Sequence, residues 1–510
     1  MSGVHRPSLP PGATADIALI LEGTYPYVGG GVSSWVHQLI RGLPEVTFSI
    51  VFIGASPDRY DGMKYTLPAN VVHLEEHFLA SLRNVERPGS RVGNPEFFSC
   101  SAALHDAFRQ GAMDDIDEAL DTVIHHMLSH PSRCEADFLY SELSWSEITR
   151  RYETAAPERS FLEFFWTIRS MHAPLFMLAR AAAGVPRARA YHVISTGFGG
   201  FLAMLLRRQR RRPLLLTEHG IYTKERRIEL LQANWIGDDN SAVLDADGLG
   251  VGFIRQLWIR FFERLGAMTY DAADPIIALY EGNRARQIAD GASRERTIVV
   301  PNGINIERLQ PLRLRRPTTP PSVMALIGRV VPIKDIKTFV RASRIVCNEL
   351  PGAEAWIVGP EDEDPSYAQE CHDLVLSLGI EGHVKFLGFQ RIDDILPAIG
   401  VNVLTSISEA QPLVVLEGFV AGVPCVATDV GCCRELIEGI SEEDRALGVA
   451  GDIVGIADPE STARSALALL GDASRWTAAQ RAGIARVERY YAEPRMLETY
   501  RSLYRAAMGS

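Results

Sequence analysis

Cysteine and lysine are both scarce in this chain of 510 residues, and so is any long apolar run. The seven cysteines (Cys100, Cys134, Cys347, Cys371, Cys425, Cys432, Cys433) are odd in number, scattered, and show no CxxC or CxxxxC spacing. That excludes a disulfide framework and a clustered zinc site, and it points to reduced thiols in a cytosolic protein. The neighbours Cys432 and Cys433 cannot form an unstrained mutual disulfide and read as packing. The longest apolar stretch, Val193–Leu206, has 14 residues and is broken by Ser195, Thr196, Gly197, Gly199 and Gly200. A spanning helix needs about 20. Met1–Pro11 holds three prolines and no apolar segment, so no signal peptide is expected. Positive charge is also short, with 52 Lys+Arg against 63 Asp+Glu and a net charge of -11. Bulk attraction to nucleic acid is thereby excluded. A soluble, cytoplasmic protein is the expectation.

What is present is ordinary globular composition, 46% hydrophobic and 23% charged. At roughly 100–200 residues per domain, the length allows two to four domains. Ile17–Leu21, a turn-rich loop over Glu22–Gly31, helical spacing over Val32–Leu43 and a second apolar run at Phe48–Ile53 form a βαβ unit. The rhythm resumes at Ala190–Ile194, Pro213–Thr217, Pro275–Leu279 and Thr297–Val300. Between the two stretches, about 80–186 reads as an aromatic-rich helical insertion. Ser81–Ser160 alone carries 14 Asp+Glu against 8 Lys+Arg. Asn302–Ser322, with four prolines and three arginines in Leu312–Pro317, reads as a domain linker. A second α/β run follows at Val323–Ile327, Ala355–Val358, Val384–Leu387, Val401–Leu404 and Pro424–Thr428. The expected organisation is a domain over 1–305, a second over 306–480, and a helical tail over 481–510 that packs back on the first. Two doubly wound domains are expected to place a ligand cleft at their carboxyl strand ends.

The residues that carry chemistry cluster in the second half. Arg329 and Lys334 follow the strand Val323–Ile327, and Lys334 and Lys337 are two of only five lysines. Fixed cations facing a diphosphate stabilise charge developing on a leaving group. Glu409 follows the strand Val401–Leu404 and precedes Pro412, which favours a helix start. The N–H groups near Leu413 and Val414 then form an anion site. Glu417 falls about one and a half turns into that helix. A carboxylate on either side of an anion site suits a sugar and a ribose, since carboxylates bind vicinal hydroxyls through charge-assisted hydrogen bonds. In the first half, Gly29, Gly30 and Gly31 let backbone approach a phosphate ahead of a helix. His219 stands at the end of the strand Leu214–Thr217, with Glu218 and Tyr222 beside it as acceptor contacts or loop supports. Asp362-Glu363-Asp364 has D-x-D spacing but precedes Pro365 in a polar loop and reads as solvated surface. Arg207–Arg212 reads as a basic helix C-terminus.

Gly328-Arg329-x4-Lys334, the stretch Ser408–Gly431 (SEAQPLVVLEGFVAGVPCVATDVG) and Val300-Pro301-Asn302-Gly303 resemble retaining glycosyltransferases of family 4, with the GT-B fold. The resemblance implies an α/β fold of two Rossmann-like domains with a helical insertion in the first. It implies Arg329 and Lys334 on the nucleotide diphosphate, Glu409 and His219 on the donor sugar, and Glu417 on the ribose. Phe389 and Gln390 fall where that family's backbone faces uracil. Asn305 departs from the family's NG-x-D pattern and receives no role. Leu21–Ile40 (LEGTYPYVGGGVSSWVHQLI) and Leu216–Lys224 (LTEHGIYTK) resemble the PelF-type subfamily of bacterial Pel exopolysaccharide synthesis. A UDP-sugar donor, a polysaccharide acceptor, no metal and no other cofactor, and membrane-protein partners in a synthase are what that resemblance implies. A GT-B phosphorylase or epimerase and a non-catalytic UDP-sugar sensor stay open as alternatives.

Overall fold

Short apolar runs bounded by turns become buried parallel strands here, and the amphipathic segments between them become the covering helices. The computed structural model describes residues 6–79, 89–110, 117–233, 236 and 252–509. The chain divides into two units. The first comprises Met1–Ala278, Arg284–Ile298 and Arg501–Ser510; the second comprises Leu279–Asn283 and Val299–Tyr500.

Among its described residues the first unit holds a seven-stranded sheet. Its strands are β1 (Thr14–Glu22), β2 (Phe48–Gly54), β3 (Val71–Phe78), β4 (Arg187–Val193), β5 (Leu214–Glu218), β6 (Ile276–Ala278) and β7 (Thr297–Val299). The order is β3-β2-β1-β4-β5-β6-β7. Every residue of β2 is buried, as a strand covered on both faces must be. Helices Pro95–Gln110, Asp117–Ser129, Pro131–Tyr140, Glu142–Ala155 and Phe161–Gly184 occupy the crossover from β3 to β4. Residues 80–88 and 111–116 of the expected insertion lie outside the described residues. Ser141 and Ser160 cap the last two helices through their hydroxyls, as serine before a helix should. The basic run ends helix Phe198–Arg210, with Arg211 in the left-handed conformation at φ 51°.

The second unit holds a six-stranded sheet of β8 (Val323–Ile327), β9 (Glu354–Val358), β10 (Val384–Gly388), β11 (Val401–Leu404), β12 (Cys425–Thr428) and β13 (Gly451–Val454). The order is β10-β9-β8-β11-β12-β13. The tract read as a linker is part of this unit's body. Leu309 and Leu312 are buried in its core. Arg313 donates to Val420 O at 2.6 Å, and Arg316 donates to Leu396 O and Ile399 O at 2.7 and 2.9 Å. Residues up to Tyr500 also group with this unit, and only Arg501–Ser510 join the first. Among the described residues, no helix is long and apolar enough to cross a membrane.

Candidate functional site

In the second unit the strand order reverses between β8 and β11. In an open parallel sheet such a reversal parts the loops at the carboxyl strand ends and leaves a crevice for ligand. The loop after β8 begins at Gly328, whose N–H donates to Val358 O at 2.8 Å. Gly359, at φ +154°, sits so close that a Cβ there would lie 2.0 Å from Gly328 O. Lys334 ends the short turn Pro332–Lys334, and Asp335 caps the helix Ile336–Glu349 by accepting from Thr338 N. From the loop after β11, Thr405 Oγ1 donates to Lys334 O at 2.9 Å and Ile407 N donates to Ile333 O at 2.9 Å. The two loops are thus one hydrogen-bonded piece.

On that piece Lys334 Nζ donates to Glu409 Oε1, and Ser406 Oγ donates to the same oxygen at 2.6 Å. The backbone around Glu409 is fixed from below. Gly431 has φ +56°, a Cβ there would stand 2.4 Å from the carbonyl oxygens of Glu409 and Ala410, and Cys432 N donates to Ala410 O at 2.9 Å. Arg329 Nη1 donates to both carboxylate oxygens of Glu363, at 2.6 and 2.5 Å. The acidic run is solvated surface, as expected, with the Glu363 side chain half exposed, and it also makes two local contacts. Glu363 holds Arg329, and Asp364 caps the helix Pro365–Leu378 by accepting from Tyr367 N at 3.0 Å.

Helix Leu413–Ala421 starts after Pro412 and has no side-chain cap. Its first N–H groups, Leu413 and Val414 among them, lack a carbonyl one turn back and are available to an anion. Glu417 lies one turn further on, 20% exposed, with Arg308 Nη2 at 3.8 Å. Burial pushes its carboxyl up to about 7; Arg308 pulls the other way and Asp393 adds to the rise. At the end of β10, Gly388 takes φ +59°, and Phe389 after it stands 79% exposed. Gln390 Nε2 folds back to donate to Leu387 O at 2.7 Å.

The structure brings Arg329, Lys334, Glu409 and the helix at Pro412 onto the loops of this one reversal. Sequence reasoning missed Glu363 and Gln411. Gln411 Oε1 accepts from Asn302 N at 2.7 Å and ties the Pro301–Gly303 stretch to the residue before Pro412. Asn305, given no role, caps the short helix Ile306–Leu309 by accepting from Arg308 N at 2.9 Å.

In the first unit the order reverses between β1 and β4. Gly30, at φ +149°, is the N-cap of helix Gly31–Gly42, and a Cβ built on Gly29, Gly30 or Gly31 meets nothing within 4 Å. That open helix start is what close approach of an anion requires. His219 packs edge-on against Trp35 at 4.5 Å between ring centroids. It is 9% exposed, its Nε2 has no hydrogen-bond partner, and burial pulls its pKa down to about 3. It is a neutral imidazole with one unsatisfied nitrogen. Glu218 is a frame residue, accepting from Tyr270 Oη at 2.7 Å, Gln287 Nε2 at 3.0 Å, Thr196 Oγ1 at 3.3 Å and Tyr222 N at 3.3 Å. Burial pushes its carboxyl up to about 7. Tyr222 donates to Glu22 Oε1 at 3.2 Å, while Glu22 Oε2 accepts from Gly199 N at 2.9 Å. Among the described residues no three His, Cys, Asp or Glu side chains converge as a metal site.

Residues 15–295 match the family model described as a domain of unknown function, DUF3492. The chain belongs to the DUF3492 family. Residues 321–472, within the second unit, match the model described as glycosyl transferases group 1. The chain is 29% identical over 225 residues to a D-inositol 3-phosphate glycosyltransferase of Nocardia farcinica, covering 42% of this chain and 46% of the relative. It is 34% identical over 119 residues to the lipopolysaccharide core biosynthesis glycosyltransferase LpsE of Rhizobium meliloti, covering 23% and 32%. The chain thus spans less than half the length of these curated relatives. Among solved structures, Anabaena Alr3699/HepE in complex with UDP superposes with a TM-score of 0.56 at 14% identity, covering 96% of this chain and 100% of that one. The sucrose-phosphate synthase of Thermosynechococcus elongatus gives 0.56 at 16% identity, with 97% and 99% covered. These likenesses, with the two parallel sheets, make the fold of the DUF3492 protein GT-B.

Proposed function

We propose that the protein is a retaining glycosyltransferase that moves a hexose or N-acetylhexosamine from a UDP-sugar to a growing exopolysaccharide of the Pel type. The observation that carries the reading is the β8/β11 reversal. It sets Arg329, Lys334, Glu409 and the open start of helix Leu413–Ala421 on two loops held together by Thr405 and Ile407. Two cations and an open helix start on the loops of one strand-order reversal suit a diphosphate. Its protein charges fill the electrophilic role a metal plays elsewhere, so the proposed reaction needs none. HepE was solved with UDP, and a uridine nucleotide is the donor we assign here. The PelF-type stretches Leu21–Ile40 and Leu216–Lys224 support the polymer assignment and, with it, a cytoplasmic subunit working with membrane-protein partners.

In the proposed reaction the bond from the sugar's anomeric carbon to the β-phosphate oxygen breaks. The acceptor oxygen bonds to that carbon from the same face, and its proton passes to the departing phosphate oxygen. Arg329 and Lys334 stabilise the charge left on UDP. Glu409, held by Lys334 and Ser406, accepts from sugar hydroxyls. Glu417 accepts from the ribose, and the exposed Phe389 and the backbone at Gln390 meet the base. In the first unit, the neutral His219 offers its unsatisfied Nε2 to a sugar hydroxyl, and Gly30 and Gly31 offer backbone to an anionic group.

Calorimetric titration with a panel of UDP-sugars tests nucleotide and sugar together. Binding of UDP-glucose or UDP-N-acetylhexosamines but not ADP- or GDP-sugars is expected. Indifference to the base would overturn the uridine assignment. Product analysis with and without inorganic phosphate separates transfer from phosphorolysis.

A further inference from the structure

The start of helix Leu413–Ala421 lacks the side-chain acceptor that a serine or aspartate cap supplies. Its N-cap is Pro412, whose ring accepts nothing, and no side chain takes that place. Its N–H groups must still stand where a diphosphate can meet them, so the residues just before Pro412 have to place them. Two tethers are found there. Ala410 O accepts from Cys432 N at 2.9 Å, and Gln411 Oε1 accepts from Asn302 N at 2.7 Å. The second reaches 109 residues back along the chain.

The segment it reaches is itself held. After β7 the chain enters the second unit along Val300–Ile304. Ile304 N donates to Tyr491 O at 2.8 Å and Glu493 N donates to Ile304 O at 3.0 Å, in a single parallel bridge to Ala492. Gly303 N donates to Met496 Sδ at 3.2 Å, and a Cβ on Gly303 would stand 2.6 Å from Glu493 Cα. The segment is pressed onto the start of helix Glu493–Gly509 and gives Gln411 a fixed point to hold.

Glutamine is not the residue that packing alone would favour at this position. Gln411 is 7% exposed and Asn302 5%. Because Oε1 faces an N–H, the other end of the side chain is the amide nitrogen, and that Nε2 is buried without a hydrogen-bond partner. A buried donor left unpaired is destabilising, and methionine would fill the same space without one. What glutamine adds is the bond to Asn302. Packing does not close around the side chain on every side either. Gln411 borders a cavity of about 450 Å³, lined within the second unit by Tyr280, Val300, Asn302, Tyr491 and Met496 among others. With space beside it, the side chain keeps its place through the hydrogen bond.

We propose that Gln411 is a positioning residue for the donor. It holds the N–H groups at Leu413 and Val414 in register with the Val300–Ile304 segment, so that they meet the diphosphate without Gln411 touching the nucleotide. The inference rests on the donor reading above and adds a residue which that reading does not use. Gln411→Met keeps the length of the side chain and removes the accepting oxygen. Calorimetric titration of the full chain with UDP and with uridine reads the effect. UDP affinity should fall about tenfold, the worth of one hydrogen bond at the upper end of its usual range, while uridine affinity stays within about twofold, because uridine brings no phosphate to the helix start. Wild-type UDP affinity in Gln411→Met overturns the inference. So does an equal loss for UDP and uridine, which is what a general loosening of the unit would give. Failure of the unaltered protein to bind UDP would instead defeat the donor reading, and this inference with it.

Discussion

Arg329 and Lys334 reach their positions by different means, and substitution should separate them. Lys334 is one fifth exposed and bound to Glu409, so Lys334→Ala removes a cation and releases the carboxylate it holds. Arg329 is half exposed and paired with Glu363. Either change to Ala should lower turnover roughly 10²-fold or more, the usual loss when a donor to developing charge is removed. Steady-state transfer measures it, and near-normal rates in both variants would reject the assignment. Glu417 gives a pH signature. Burial holds its carboxyl near 7, so it is largely protonated at pH 6 and largely ionised at pH 8. The ionised form accepts ribose hydroxyls more strongly. Affinity for UDP-glucose should therefore increase from pH 6 to 8, and Glu417→Gln should weaken binding and flatten that dependence in calorimetry. Arg329, Lys334 and Glu409 were legible because a basic or acidic side chain in the loop just past a buried parallel strand lies at the ligand end of the sheet. Glu363 was not legible. An exposed acid in a polar loop looks the same in sequence whether or not an arginine from the neighbouring loop reaches it.

At the scale of elements, close backbone contacts hold the site, and glycine marks them. Gly431 combines φ +56° with carbonyl oxygens 2.4 Å from where a Cβ would stand. Gly431→Ala should push the Glu409 loop out of place. We expect at least tenfold weaker binding of UDP-sugar in titration with the six-stranded sheet still folded; wild-type affinity would show that the loop needs no such support. Element by element, the interior strands were easiest to read. β2, β11 and β12 are buried at every residue and β8 at its three central ones, and apart from Ser49, Asn402 and Thr428 their sequences are apolar. Two edge strands, β3 and β13, were missed for the converse reason. In β3, VVHLEEHF, only Val71 and Leu74 are buried, and the remainder carries the charge an edge strand uses to stay unpaired. In β13 the burial is interrupted in the same way. The tract around Leu312 misled because its prolines and arginines resemble a free linker. The arginines instead satisfy backbone carbonyls of the second unit, which composition alone does not reveal.

At the scale of the molecule, the chain enters and leaves each unit more than once, so each unit's stability depends on residues distant in sequence. Arg486 is fully buried in the second unit. It donates to Asp444 Oδ1 at 2.6 Å, Asp444 O at 3.0 Å, Ile437 O at 2.7 Å and Gly448 O at 2.8 Å. Removing it leaves a buried carboxylate without its cation, a loss of about 3–5 kcal/mol. In the first unit, the buried His192 Nδ1 stands 2.7 Å from Tyr504 Oη, on the last segment of the chain. Burial keeps that imidazole neutral, with its pKa near 3, so Tyr504→Phe removes a neutral hydrogen bond and should cost about 1–3 kcal/mol. Calorimetric melting should therefore show two separable effects. Arg486→Leu should lower the transition of the second unit, and Tyr504→Phe that of the first. If the proposed donor site binds UDP in the folded second unit and not in the unfolded chain, UDP at about 100 times its dissociation constant should stabilise that unit by about 2.7 kcal/mol. Equal shifts of a single transition by all three treatments would mean that the two units melt as one. The donor site could then no longer be assigned to the second unit from its melting.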